Sequence, residues 1–435
     1  ADTGLAHAYA SEDLAQVQRI LGRQYHAVVG NPPYIVVKDA ALNAAYRQKY
    51  ASCHRQYSLG VPFTERFFDL AVTGTGGQGA GFVGLITANS FMKREFGSKL
   101  IEQVLPRLDL THVVDTSGAY IPGHGTPTVI LLGRHRAPVA AGVRTVMGIK
   151  GEPSTPADPA QGLVWSAIVG QIDQVGSESD FVSVADTPRA TLAKHPWSIG
   201  GGGAADVKET IELASSKSLG ETVAAIGFIC MTRADDVYFV PRHTLRAQGL
   251  ACENIIENVE GDTVRDWSFL QPNTTVFPYV PSTLEPLPES PKSPLHRFLW
   301  PHRTNLWLRR EPNGNHLELG LTWWEWSRFQ KERFRVPLTI TFAFVATHNH
   351  FVLDRGGKVF NRSAPVIKLP AGSSEDKHLG LLGLLNSSVA CFWMKQIFHN
   401  KGSTVDQHGA RQRTDAFEDF YEFAGTGLKD FPLCP

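Results

Sequence analysis

Residues 26–34 read His-Ala-Val-Val-Gly-Asn-Pro-Pro-Tyr. His26 to Gly30 is a short apolar run ending in glycine, the pattern of a buried parallel strand. Asn31-Pro32-Pro33-Tyr34 follows at once, where the strand gives way to a loop. In open α/β sheets the carboxyl ends of the strands are where active sites are built. The prolines fix their own φ and stiffen the turn, which sets the direction of the carbonyls around them. A bare Asn-Pro-Pro-Tyr is equally an ordinary turn before a polyproline stretch. The strand before it and the pattern after it favour a chemical role.

Working outward, Ser11 to Leu21 has helical spacing, with Ser11 as N-cap and Asp13 in the first turn. Downstream, Phe63 to Val72 reads as a helix, Gly74 to Gly81 as a glycine-rich turn and Gly81 to Thr87 as a strand. Gly76, Gly77 and Gly79 belong to that turn and are read as a loop, not a cofactor cradle. Phe96 to Leu105 reads as a helix, and His112 to Asp115 and Thr128 to Leu132 as strands. This alternation predicts an α/β sheet with helices on both faces over residues 1–150. From Gly151 to Gln161 the composition turns to Pro, Gly, Ser and Asp, and Gly200 to Gly203 forms a second flexible joint, so 151–204 is expected to be a linker or insert. Residues 205–435 open with a helix from Asp206 to Ser216. They continue rich in Pro, Trp, Phe and short β-type runs such as Leu338 to Val345, as expected of a mixed α+β domain. An apolar helix, or a pair, closes it from Leu379 to Phe398. No internal repeat is visible.

The 435 residues suffice for two or three domains with their own cores. Hydrophobic residues at 42% and charged residues at 19% exclude a disordered chain. No apolar run approaches the roughly 20 residues of a membrane helix, and Ala1 to Ala10 lacks the features of a signal peptide. No membrane partner is expected. The five cysteines (Cys53, Cys230, Cys252, Cys391, Cys434) show no CxxC spacing, which argues against a disulfide framework or zinc site and for a reducing cytoplasm. Lys+Arg 42 balances Asp+Glu 42, so any nucleic-acid surface must come from local clustering.

The chemistry explains the tetrapeptide. An exocyclic aromatic amine is a poor nucleophile because its lone pair is delocalised into the ring. The Asn31 side-chain carbonyl and the Pro32 backbone carbonyl can each take one N–H and favour the geometry that attack requires. Tyr34 offers an aromatic face to a base that has left its stack. Direct transfer of a methyl from a sulfonium then rests on alignment. No covalent intermediate, and so no cysteine nucleophile, is needed.

The segments VVGNPPYIVVKD, YSLGVPFTERFFDLA, GLITANSFMKREFG and DTSGAYIPGHGTPTVILLGR carry a resemblance. Tyr25 to Arg134 is similar to the second half of the catalytic domain of gamma-class adenine-N6 DNA methyltransferases. It also resembles the fused methyltransferases of type IIG restriction enzymes and, above all, the PglX methyltransferases of BREX phage-defence systems. The resemblance implies a Rossmann-like methyltransferase sheet, S-adenosylmethionine as cofactor, an extruded adenine in double-stranded DNA as substrate, and other defence-system proteins as possible partners. It implies catalytic roles for Asn31, Pro32, Pro33 and Tyr34, and cofactor contacts from Tyr57 and Phe63. In the Gly118–Thr128 loop it makes Tyr120 the first candidate for a further contact to the base and His124 the second. Many relatives have an acid at the position of His26. Such enzymes also carry, upstream, a glycine-rich turn for the methionine moiety and an acidic residue for the ribose. Only 30 residues precede Asn31 here. The first strands are therefore expected to be missing, the chain being an internal piece of a longer protein.

Between Leu295 and Arg335 basic and aromatic residues interleave: Trp300, Arg303, Trp307, Arg309, Arg310, Trp323, Trp324, Trp326, Arg328, Lys331 and Arg333 among them. Guanidinium groups suit phosphates and guanine edges, and aromatics can stack. Each tryptophan taken singly is more often core. As a set the segment resembles a target-recognition domain, with family-like stretches at Gly261 to Trp267 and Phe360 to Leu369. Lys395, His399, Lys401, Arg411 and Arg413 form a second basic run suited to phosphates. His348 and His350 flank Asn349. Without further ligands at suitable spacing, no metal site is expected.

Three functions compete. The first is an adenine-N6 DNA methyltransferase of a restriction-modification or phage-defence system. The second is a module that recognises DNA without catalysis. The third methylates another planar amine or amide, in protein glutamine or RNA guanine. The large Trp/Arg-rich domain favours DNA, and Asn31 favours adenine over cytosine. No Pro-Asp…Asp/Glu-x-Lys nuclease arrangement is visible.

Overall fold

A computed structural model of the chain describes residues 14–74, 79–311, 313–402 and 418–434. Ser11, Asp13, Gly76, Gly77, Arg411 and Arg413, all singled out above, lie outside the described residues. The chain divides into two compact units, residues 1–209 with 399–419, and residues 210–398 with 420–435.

The first unit is built on a mixed six-stranded sheet. Its strands are β1 (Ala27–Gly30), β2 (Phe82–Ala88), β3 (Asp109–Asp115), β4 (Thr128–Arg134), β5 (Gly142–Gly148) and β6 (Val182–Pro188), in lateral order β1-β2-β4-β3-β5-β6. β1 runs parallel to β2 and β3 parallel to β5, while β4 and β6 are antiparallel to their neighbours. A parallel pair cannot close through a tight turn. The β1–β2 connection accordingly carries two helices, α1 (Ala40–Lys49) and α2 (Gly60–Leu70). Asp39 starts α1, its carboxylate accepting from the Leu42 amide at 2.7 Å. α2 lies close over β1 because Gly30 has no Cβ; one there would sit 2.8 Å from the Phe67 ring. β1, β2, β3 and β5 all point the same way, so the residues following them gather along one edge of the sheet. The topology is consistent with a methyltransferase-like core.

Three expectations are corrected. Residues 151–204 are not a linker: they supply α3 (Leu163–Gln171) and β6, which pairs with β5 over its whole length. The polar run at their start holds a cap, with Glu152 accepting from the amides of Leu163 and Val164 at 2.8 and 3.0 Å. Gly201 is docked, not a hinge, since a Cβ there would lie 2.7 Å from Ile149 and 2.8 Å from the Met147 carbonyl. Phe96 to Leu105 is not one α-helix but a series of short 3₁₀ and π turns that runs on to Arg107. Pro106, lacking an N–H, keeps it from continuing as a regular helix.

The second unit contains a four-stranded sheet, in the order Phe351–Asp354, Thr339–Phe342, Val366–Lys368, Ala225–Gly227, and a three-stranded one, Asn273–Val276, Ile255–Val259, Lys358–Phe360. The apolar run from Leu379 is a helix pair, Glu375–Leu385 and Ser388–Ile397, broken where Ser387 caps the second helix by accepting from Ala390 N at 3.1 Å. Trp323, Trp326, Trp393, Tyr238, Tyr279, Phe342 and Phe351 are fully buried in its core. Burial of a phenylalanine of this kind contributes on the order of 1.5–3 kcal/mol. Among the described residues no helix is long and apolar enough to cross a membrane.

Candidate active site and nucleic-acid interface

Asn31 to Tyr34 leave the carboxyl end of β1 with Pro32 buried and Asn31 exposed. The Tyr34 hydroxyl donates to Asn31 Oδ1 at 2.7 Å and lies 3.5 Å from the Ile86 carbonyl of β2. The neighbouring strand thus helps to place the tyrosine that orients the asparagine. Against the Tyr34 ring stands the imidazole of His124, centroids 5.0 Å apart and planes inclined by 52°. His124 comes from the β3–β4 loop. That loop is closed at its base by the Thr116 and Thr128 hydroxyls, 2.8 Å apart, and turned by a bond from the His124 amide to the Ile121 carbonyl. Burial holds the His124 pKa below the usual range, and its Nε2 is buried without a hydrogen-bond partner among the described residues. Burial also raises the Tyr34 pKa. The site therefore offers neutral aromatic and amide groups, suited to a neutral planar ring carrying an amine.

Of the two loop candidates, the structure brings His124 to Tyr34. Tyr120 is half-buried and makes no ring contact with Tyr34 among the described residues. Tyr57 is fully buried, its hydroxyl donating to the Asn43 carbonyl at 3.2 Å and its pKa pushed up to about 12 by burial. As placed it is a core residue with no surface for a cofactor, a correction to its expected role. Phe63 is partly buried, edge-on to Phe67 with centroids 6.1 Å apart. Lys93, which is not among the expected site residues, follows β2 on the same edge of the sheet. Burial and the charge of Lys208, opposed by Asp115, bring its pKa down to about 7. This lysine lies within the segment GLITANSFMKREFG, and the strand order places it near the edge.

In the second unit the basic residues separate by environment. Arg303 is exposed, and its guanidinium lies 4.8 Å over the ring of Trp300, itself 53% exposed. Arg310 is exposed as well. Arg328 pairs with Glu311, and Lys331 with Glu285 at 2.7 Å. Arg333 donates to the Phe228 carbonyl at 2.8 Å, and burial lowers its pKa. Arg309 is inside the fold, donating to the carbonyls of Leu306, Thr232, Trp323 and Glu325. Its expected role on a DNA surface is corrected to one of holding the Trp-rich loop. Trp323, Trp324 and Trp326 are buried too. Lys395 lies 5.2 Å over the Tyr421 ring, and Lys401, in the first unit, is exposed.

The profile of the Eco57I restriction-modification methylase family matches residues 6–121. The chain is 47% identical over 437 aligned residues to the adenine-specific methyltransferase PglX of Streptomyces coelicolor, an alignment covering 98% of this chain and 36% of that protein. It is 29% identical over 173 residues to the type II methyltransferase M.PaeR7I of Pseudomonas aeruginosa, covering 36% of this chain and 29% of the relative. Among solved structures, the type IIL restriction-modification enzyme MmeI in complex with DNA superposes with a TM-score of 0.55 at 11% identity, over 96% of this chain and 47% of that one. The chain thus spans about a third of the length of the Streptomyces relative. It is related in sequence to PglX and to type II methyltransferases, and it shares a fold with MmeI.

Proposed function

We propose, from this relationship, that the chain carries the target-amine side and the DNA-reading part of an S-adenosylmethionine-dependent adenine-N6 DNA methyltransferase of a restriction-modification or phage-defence system. The observation that carries the proposal is the Asn31–Tyr34 unit at the end of a parallel strand, with His124 against the tyrosine ring. Asn31 Oδ1 has two acceptor directions. One takes the Tyr34 hydroxyl, which fixes the amide plane; the other is left for an amine N–H. The Pro32 carbonyl takes the second N–H. An adenine extruded from the duplex would lie on the aromatic faces of Tyr34 and His124, as enzymes acting on bases require.

Double-stranded DNA, other defence-system proteins and a cytoplasmic setting belong to the same proposal. The cofactor would supply an electrophilic methyl group. The described residues fit the acceptor amine, whereas of the two expected cofactor contacts Tyr57 is closed within the core and Phe63 is partly buried against Phe67. The test is transfer of labelled methyl to duplex DNA by the full-length protein and its Asn31→Ala variant. Loss of transfer with duplex binding intact supports the reading. Transfer by the variant at the wild-type rate would overturn it, and binding without transfer by the wild type would favour a recognition module.

A further inference from the structure

A site in the second unit stands apart from methyl transfer. We propose that Asp266, His348 and His350 bind a divalent transition-metal ion of the zinc type. Val264–Arg265 and Ser268–Phe269 form a tight hairpin whose tip is Asp266-Trp267, with Trp267 in the left-handed region at φ 64°. That turn carries the Asp266 carboxylate to the segment before the strand Phe351–Asp354. One carboxylate then meets two imidazoles: Asp266 Oδ1 is 2.8 Å from His350 Nδ1, and Oδ2 is 3.6 Å from His348 Nε2. The two rings stand 4.0 Å apart, and one ligand atom from each of the three residues lies within 4.8 Å of the others.

The histidines are held in place. Asn349 between them is buried, and its amide donates to the carbonyls of Leu385 and Ser387 at 2.6 and 3.3 Å. The backbone is thereby fixed to the junction of the helix pair. Thr347 Oγ1 bonds His348 Nδ1 at 3.0 Å, which leaves Nε2 toward Asp266, an outer-shell contact of the kind that sets a ligand's tautomer. Nearby, Arg265 turns a donor to its own Val264 carbonyl at 2.8 Å.

A single His–Asp pair explains His350. It does not explain a second imidazole on the other oxygen of the same carboxylate, its ring tilted by 50° against the first. Ligand atoms about 2.0–2.1 Å from a tetrahedral zinc ion lie about 3.3 Å from each other. The separations of 2.8 and 3.6 Å are to different oxygens of Asp266, and the three ligand atoms lie within 4.8 Å of one another, so an ion would draw them in toward that spacing. Two nitrogens and one oxygen suit zinc or cobalt and leave a fourth position for water. The ion would clip the hairpin tip to the histidine loop and steady Trp267, whose side chain is 58% exposed.

The test is a titration of the untagged chain with cobalt(II), followed by visible absorption and displacement with zinc. The expected result is one ion per chain, with tetrahedral bands and no thiolate charge-transfer band. Asp266→Asn and His348→Ala change side chains that are 56% and 45% exposed, so both variants should fold, which circular dichroism of the metal-free proteins checks. Each should weaken binding by at least about tenfold, since even outer-shell partners of metal ligands are worth that much. Wild-type affinity in both variants, a thiolate band, or no cobalt uptake by the wild type would each overturn the site.

Discussion

The Tyr34 hydroxyl and the Asn31 side-chain carbonyl, 2.7 Å apart, form one hydrogen-bonded unit within a single tetrapeptide. The ring that would face a base and the acceptor that would receive its amine therefore move together. Tyr34→Phe separates these roles by keeping the ring and losing the bond. If the full-length protein methylates as proposed, its single-turnover methylation is expected to fall by about 0.5–1.5 kcal/mol of transition-state stabilisation for that change. Tyr34→Ala also loses the stacking face, worth roughly 1–3 kcal/mol. Asn31→Ala, losing the acceptor itself, should cost on the order of 2.7–4 kcal/mol or more. If Tyr34→Phe proved as damaging as Asn31→Ala, the hydroxyl would have a role beyond orienting the amide.

His124 and Tyr120 share one loop, and only His124 meets the Tyr34 ring. His124→Ala is expected to weaken retention of an extruded base by roughly 1–3 kcal/mol if stacking dominates, with Tyr120→Ala the milder change. Fluorescence of 2-aminopurine placed at the target position reads this directly. A larger loss from Tyr120→Ala would reverse the assignment.

Much of this was legible in the sequence, for identifiable reasons. The run His26 to Gly30 announced a strand, and Ala27–Gly30 is one, but the expectation that it is buried fails, since Val29 is 81% exposed; Asn31 to Tyr34 drew notice by its place after that strand. The failures came where tertiary contact overrode local composition. Residues 151–204 look like a linker until Glu152 is seen capping α3 and Val182 to Pro188 pairing with β5. Arg309 looks like a DNA contact because an arginine among tryptophans has the same local pattern whether it faces a phosphate or four backbone carbonyls. Asp266 was invisible as a partner of His348 and His350 because a hairpin tip 82 positions before His348 brings it there.

The basic residues of the second unit should divide by experiment as they do by environment. Arg303→Ala is expected to weaken duplex binding and to reduce the salt slope by about one if it meets a phosphate. Arg309→Ala should instead lower thermal stability, because it leaves several buried carbonyls without donors at roughly 1–3 kcal/mol each. Scanning calorimetry and fluorescence anisotropy over a salt series separate the two effects. A folded Arg309→Ala chain of unchanged stability and weakened DNA binding would return that arginine to the interface.

Burial, together with the charges of Arg94, Lys401 and Lys93, pushes the His399 pKa from 6.5 down to about 3. Above pH 6.5 the ring is neutral in both folded and unfolded chains, so its contribution to stability is fully present. Between pH 6.5 and about 3 the unfolded chain holds a proton that the folded chain does not. Stability must then fall as the pH falls, by up to about 1.4 kcal/mol per pH unit for one such proton. Below the folded value both states are protonated and the slope vanishes. His399→Asn keeps a polar side chain of similar reach and removes the titration. Urea unfolding at pH 7.5, 6.5 and 5.5 should therefore show a steeper loss for the wild type than for the variant over the lower interval, and little difference in slope over the upper one. Parallel lines across both intervals would mean that His399 takes up its proton alike in the folded and unfolded chains, and that burial does not hold the ring neutral.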